Sequence, residues 1–232
     1  MSARFLAFFF VIGALLLGAA TPAAAHDITG TGDSIPEFLW MGVEHMVLGF
    51  DHLLFALGVV LLAGQVRRAA GLISLFALGH SVTLIAATLA EVSVSPRRVD
   101  IIIALSVAFV GVVGLFARPR TPAHWRWFGA AVLVFGLIHG LGLSTRLQQA
   151  DVSSVSGILA FNVGIELGQL AVIAACVLVG RLVAYVAPGK VPGRMARRLG
   201  NVGLVLAGLV LAGLLVAQRW TEPVTNALAN AV

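Results

Sequence analysis

Glu44, His45, Asp51 and His52 lie inside one apolar run, Phe38 to Ala63. A charged side chain at the centre of a bilayer costs about 2.5–3.5 kcal/mol on insertion scales, so ionisable residues there are candidates for function. Read as one helix, His45 and His52 are seven residues apart and share a line along it. Glu44 and Asp51, also seven apart, share the neighbouring line. Imidazoles backed by carboxylates suit a borderline divalent metal: neutral ring nitrogens ligate, and carboxylates either ligate or orient the rings. Metal then competes with protons, so affinity is expected to fall below about pH 6.

Three later apolar runs carry further polar groups. Gly79-His80-Ser81-Val82-Thr83 is one, and Gly136-Leu137-Ile138-His139-Gly140 is another. The third holds Asn162, Glu166 and Gln169, spaced four and then three on a single helical stripe. Gly136 with Gly140, and Gly164 with Gly168, form small-xxx-small seams that let helix backbones approach closely. His80 and His139 therefore join His45 and His52 as candidate ligands, with Asp51 and Glu166 as carboxylate ligands or charge partners. Glu44, Ser81, Thr83, Asn162 and Gln169 are candidates to line a path or to orient a ligand.

Each of these residues also has a plainer use. A membrane histidine can simply bond a neighbouring helix, worth about 0.6–2 kcal/mol, and Asn or Gln can act as interhelical glue. Ser81 and Thr83 can bond their own helix backbone. Glu44 can be solvated near the interface. Asp51, His52 and Glu166 are the hardest to explain this way, because each is deep and chargeable.

Composition sets the frame for these groups. Of 232 residues, 59% are hydrophobic and 11% charged, with a mean hydropathy of +1.02. That profile excludes a soluble domain and predicts an all-α, polytopic membrane bundle. The net charge of +5 is read on the loops and is no nucleic-acid signal. A lone Cys176 rules out a disulfide framework or a cysteine zinc site. Four methionines weigh against a thioether route for Cu(I). No G-x-x-x-x-G-K-[ST] loop is present, so ATP hydrolysis by that motif is excluded.

Residues 1–25 read as a cleaved signal peptide, with Arg4 before an apolar core and Ala23-Ala24-Ala25 at the cleavage site. Residues 26–37 make a short outer segment that begins with His26, a possible copper chelator as a free amino terminus. A single transmembrane domain spans 38–220, and 221–232 form an outer tail. Six apolar segments, about 38–64, 69–90, 99–117, 127–143, 154–187 and 199–218, are each long enough to cross roughly 30 Å of bilayer. With the amino terminus outside, the inner loops hold Arg67, Arg68, Arg118, Arg120, Arg126, Lys190, Arg194, Arg197 and Arg198. The outer ones hold Arg97, Arg98, Arg146 and Arg219. That asymmetry obeys the positive-inside rule. In this orientation the histidines, Asn162 and Glu166 all fall at mid-membrane or on the outer side, as one polar site opening outward would require.

The pattern His45-x5-Asp51-His52, with Gly49 before Phe50, resembles the first-helix signature of the HupE/UreJ family of membrane proteins. Met46 stands where one branch often has proline. Gly79 to Leu84, Phe135 to Gly142 and Phe161 to Gln169 look like the second branch of that family. The resemblance runs from about residue 38 to 180. It implies a nickel or cobalt permease of the bacterial inner membrane; periplasmic termini are expected from the signal peptide and the arginine asymmetry. Metal chaperones or metalloenzyme maturation proteins would be its partners, beside the lipid bilayer and the ion itself. The residues alone do not choose among nickel, cobalt, zinc and copper. They are also compatible with an intramembrane zinc-dependent hydrolase using Glu166 or Asp51 as base, or with a non-catalytic accessory protein that binds metal. The expected activity is secondary transport with no catalytic cofactor. A divalent ion moving inward gains about 4–5 kcal/mol per 100 mV, at ~2.3 per elementary charge.

Overall fold

The computed structural model describes residues 34–116, 121–149, 154–186 and 193–229. The expected signal peptide and His26 lie outside the described residues, as do the loops at 117–120, 150–153 and 187–192. Seven helices follow in order, and no strand occurs among the described residues. They are α1 (Ile35–Leu48), α2 (Phe50–Ala63), α3 (Val66–Leu89), α4 (Pro96–Phe116), α5 (Pro122–Gln149), α6 (Val155–Val186) and α7 (Gly193–Ala229). Pro96 and Pro122 open their helices at the position where a missing N–H is harmless. Gly64 closes α2 in a left-handed conformation, φ 64°, with its N–H on the Val60 carbonyl. The last helix continues to Ala229, so it takes in most of the segment expected to be a separate tail.

Helices α3 to α7 each contain a stretch long and apolar enough to cross a membrane, while α1 and α2 pass the same test only together, as a pair bent by 65° at Gly49. The chain is thus a polytopic helical bundle with five candidate spans, or six when the bent pair is one broken span. The single continuous first helix read from the sequence is corrected here. At Gly49 ψ is 96°, which ends the helical turn. The φ of −70° suits any residue, so the need for glycine is spatial. A Cβ there would sit 2.7 Å from His52 Nδ1, 2.8 Å from the His45 carbonyl oxygen and 3.1 Å from Asp51 Oδ1.

Three helix pairs carry most of the packing. In the first, α1 runs parallel to α6: Phe38 lies beside Gly157, Gly42 beside Phe161 and Ile165, and Met46 beside Gly168. In the second, α3 runs parallel to α5, with Gly136 against the Phe76 backbone and Gly140 against His80 and Thr83. Both expected glycine seams therefore lie at close crossings, each answered by a glycine on the facing helix, Gly42 or Gly79. In the third pair α4 and α7 are antiparallel, since Gly114 meets Asn201 while Gly208 meets Ala104 and Ala108. Without a hydrophobic drive inside lipid, such backbone contact is what holds helices together.

Candidate metal centre

The break at Gly49 is what makes the site. Seven residues of continuous helix would separate His45 and His52 by about 10.5 Å along the axis. Instead their ring centres are 5.1 Å apart, because His45 lies in the last turn of α1 and His52 in the first turn of α2. His139 from α5 lies 5.0 Å from His52. His80 from α3 lies 6.3 Å from His52 and 6.5 Å from His139. Its approach depends on Gly79 and Gly140, which remove the side chains that would wedge α3 from α5. The four imidazoles line one narrow cleft, together with Asp100, Ile103, Gly142, Leu143 and Arg146. His45 is half-buried, whereas His52, His80 and His139 are buried.

Hydrogen bonds fix two of the rings. Asp51 Oδ1 accepts from the His52 backbone N–H at 2.9 Å and from His52 Nδ1 at 3.0 Å. A carboxylate can only accept here, so His52 carries its proton on Nδ1 and turns Nε2 into a lone-pair donor. By the same logic His139 Nδ1 donates to the Phe135 carbonyl at 2.9 Å. Asp51 occupies the first turn of α2, where the positive end of the helix dipole favours its charge. The buried Nε2 of His52 and both ring nitrogens of His80 have no hydrogen-bond partner. Leaving a buried polar atom unsatisfied costs about 1–3 kcal/mol, so such atoms call for a ligand or water.

Two imidazoles held on one tetrahedral ion at about 2.0–2.1 Å place their ring centres roughly 5 Å apart. His45–His52 and His52–His139 already have that spacing. His80 must move nearer to join them. Among the described residues no three His, Cys, Asp or Glu side chains are grouped to hold an ion as they stand. His52, with only Nε2 to offer, belongs to both close pairs.

The other candidates fall elsewhere. Glu166 is exposed on α6 among Val163, Leu167 and Leu170, which are exposed too, and does not line the cleft. The stripe expected on α6 is therefore split: Asn162 and Gln169 are buried and Glu166 is not. The cause is angular, since Glu166 sits about 40° around the helix from Asn162 and 60° from Gln169, enough to put it over the edge of the packed face. Asn162 Nδ2 donates to its own helix at Ile158, 3.0 Å away. Thr83 Oγ1 donates across to the Leu137 carbonyl at 2.7 Å, stitching α3 to α5. Glu44 and Ser81 are half-buried and, like Thr83, do not line the cleft. The α6 helix reaches the histidines through Phe161, 5.9 Å from His45.

Sequence reading missed two sets of residues. Asp100 and Arg146 line the cleft and pair at 2.7 Å. Asp100 falls inside an apolar segment, which is the signal the sequence offers for it; Arg146 reads from the sequence only as a loop charge. The second set is aromatic. Phe76 lies 4.6 Å from His139 and 5.0 Å from Phe55. Phe135 and Phe109 continue the row, 5.2 Å apart. Phenylalanine in a membrane helix has no sequence signal that separates packing from a barrier.

A multi-spanning helical bundle with a broken first span and four imidazoles gathered at the break defines an intramembrane histidine-cleft protein. A family model described as HupE / UreJ protein matches residues 22–221. The chain belongs to the HupE/UreJ family. Comparison with curated proteins and with solved structures found no match.

Proposed function

We propose that this protein is a secondary transporter of a divalent transition metal ion, nickel first and cobalt second, admitted from the outer side of a bacterial inner membrane. The observation that carries the reading is the histidine cleft: imidazoles from α1, α2, α3 and α5 within 5.0–6.5 Å of His52 or His139, with His52 Nε2 and both ring nitrogens of His80 buried without a hydrogen-bond partner. Imidazole suits zinc, copper and nickel, and the family's association with nickel and cobalt sets the preference. Two close pairs sharing His52 favour a handed-on ion over a caged one, because conduction needs binding weak enough to leave. A half-helix that begins at the site is a recurring transporter device. The outward-facing orientation of the cleft rests on the arginine asymmetry, with Arg67, Arg68, Arg126, Arg197 and Arg198 at the starts of α3, α5 and α7.

The test is nickel(II), cobalt(II) and zinc(II) uptake into proteoliposomes under an inside-negative potential. Wild-type protein should accumulate nickel(II), His52→Ala should not, and Ser81→Ala should match wild type. Uptake at the wild-type rate by folded His52→Ala would sink the reading.

A further inference from the structure

We propose that Asp100 is the first cation ligand met at the mouth of the histidine cleft, and that Arg146 is its exchangeable counter-ion. The inference rests on the transport reading and adds to it a residue pair that the histidine motifs do not contain. Asp100 lies just past the first turn of α4 and Arg146 in the last turn of α5. Arg146 Nη2 donates to Asp100 Oδ2 at 2.7 Å, with the side chains 21% and 15% exposed respectively. Along α5, His139, Leu143 and Arg146 follow at helical spacing on one side and all line the cleft. Arg146 thus stands about 10.5 Å beyond His139 toward the helix end. Ile103 lies one turn deeper than Asp100 on α4 and also lines the cleft.

The backbones that carry the pair are pinned. Thr145 Oγ1 accepts from the Val94 N–H at 3.1 Å. Gln148 Nε2 donates to the Ala87 and Val92 carbonyls, both at 3.2 Å. The end of α5 is thereby tied to the turn between α3 and α4, on both sides of Arg146. What remains free to move is the arginine side chain. Its long stem and its place at a helix end let the guanidinium swing toward the membrane surface. Partly exposed ion pairs are weak, worth about 0–1 kcal/mol, so exchange is easy.

Charge explains why the pair is needed. An arginine alone at the mouth would repel a divalent ion, and an unpaired carboxylate would hold any cation. Paired, they present no net charge until an ion with greater charge density takes the carboxylate. Oxygen donors also suit a hydrated ion that still keeps part of its water shell. From Asp100 the ion passes inward to His139, His45 and His52, where imidazole replaces the remaining waters.

The experiment measures nickel(II) association by stopped-flow, equilibrium binding, and uptake, on folded wild type, Asp100→Asn, Arg146→Gln and the double variant. Asp100→Asn should slow association by about ten-fold or more, the scale of lost electrostatic focusing, while the number of bound ions stays the same. Arg146→Gln should speed association by roughly the same order. The double variant, which lacks the ligand but also the repelling guanidinium, should fall between Asp100→Asn and wild type. If the pair is only a clip between α4 and α5, both single variants will change association in the same direction or not at all, and the proposal is overturned. Wild type that binds and transports nickel(II) beside indifferent variants would remove this inference and leave the transport reading standing. Wild type that neither binds nor transports overturns both.

Discussion

Helix α5 carries two histidines fifteen positions apart, His124 near its start and His139 toward its end, and they meet opposite surroundings. His139 lies among imidazoles and opens on the cleft. His124 is packed on rings: Trp125 at 5.3 Å, Trp127 at 6.4 Å, and Phe128 nearly parallel at 6.3 Å. Arg68 stands over Trp125, 4.4 Å from its ring centre, at the same end of the bundle. Between the two histidines runs the phenylalanine row of Phe55, Phe76, Phe109 and Phe135. The difference teaches that a histidine in a membrane helix becomes a ligand candidate only when other helices bring a second imidazole or a carboxylate to it. It also divides the helix bundle into a polar end around the cleft and an aromatic end around the phenylalanine row.

The largest expected effect sets the two histidines against each other. His139→Ala should weaken nickel(II) affinity by more than about 100-fold, beyond what a partner one step removed from the ion supplies. His124→Ala should leave affinity unchanged and show itself only in thermal stability, since it empties a packed aromatic site. Equal losses in both variants, per folded molecule, would break the comparison.

A second test asks whether the polar end depends on the break in the first span. An alanine at position 49 would press on His52 Nδ1 and Asp51 Oδ1. Displacing a ligand by about an ångström can cost on the order of 100-fold in function. Gly49→Ala should therefore reduce metal affinity on that scale. Gly71→Ala in α3, where nothing lies within 4 Å of the added carbon, should be silent. Wild-type affinity in Gly49→Ala would mean that the break is not what positions His52.

How much of this was legible beforehand follows from what periodicity carries. The membrane class, the helical bundle and the glycine seams could be read from hydropathy and from spacing, because lipid allows few other solutions. The four clustered histidines could be read because buried imidazoles are costly without a purpose. The broken first span could not. Gly49 is one glycine among many, and its role depends on side chains that fold back from both sides of it. Glu166 was misjudged for a related reason: a stripe on a helix says which residues share a face, but the neighbouring helices decide where that face ends. Asp100 and Arg146 are 46 residues apart, and nothing local in the sequence connects them.

The smallest effect comes from Asp51, and it separates orienting a ligand from being one. Asp51 Oδ1 accepts both the backbone N–H and the ring Nδ1–H of His52. Asparagine keeps an oxygen acceptor of the same reach, so the ring can hold its tautomer and place. What it removes is the negative charge that makes the far nitrogen of the imidazole a stronger donor. Loss of such a partner typically weakens a metal site by about 10–100-fold. Asp51→Asn should accordingly bind nickel(II) in that reduced range with unchanged stoichiometry. Its stability should drop modestly, because a carboxylate in the first turn of a helix is worth about 0.3–1 kcal/mol. Two outcomes would redraw the polar end. Complete loss of binding in a folded protein would make Asp51 itself a ligand, and the ion would then sit nearer to α2 than the imidazole spacing suggests. Unchanged affinity with lower stability would confine Asp51 to starting the half-helix, and the orientation of His52 would rest on packing against Phe76, 6.1 Å away.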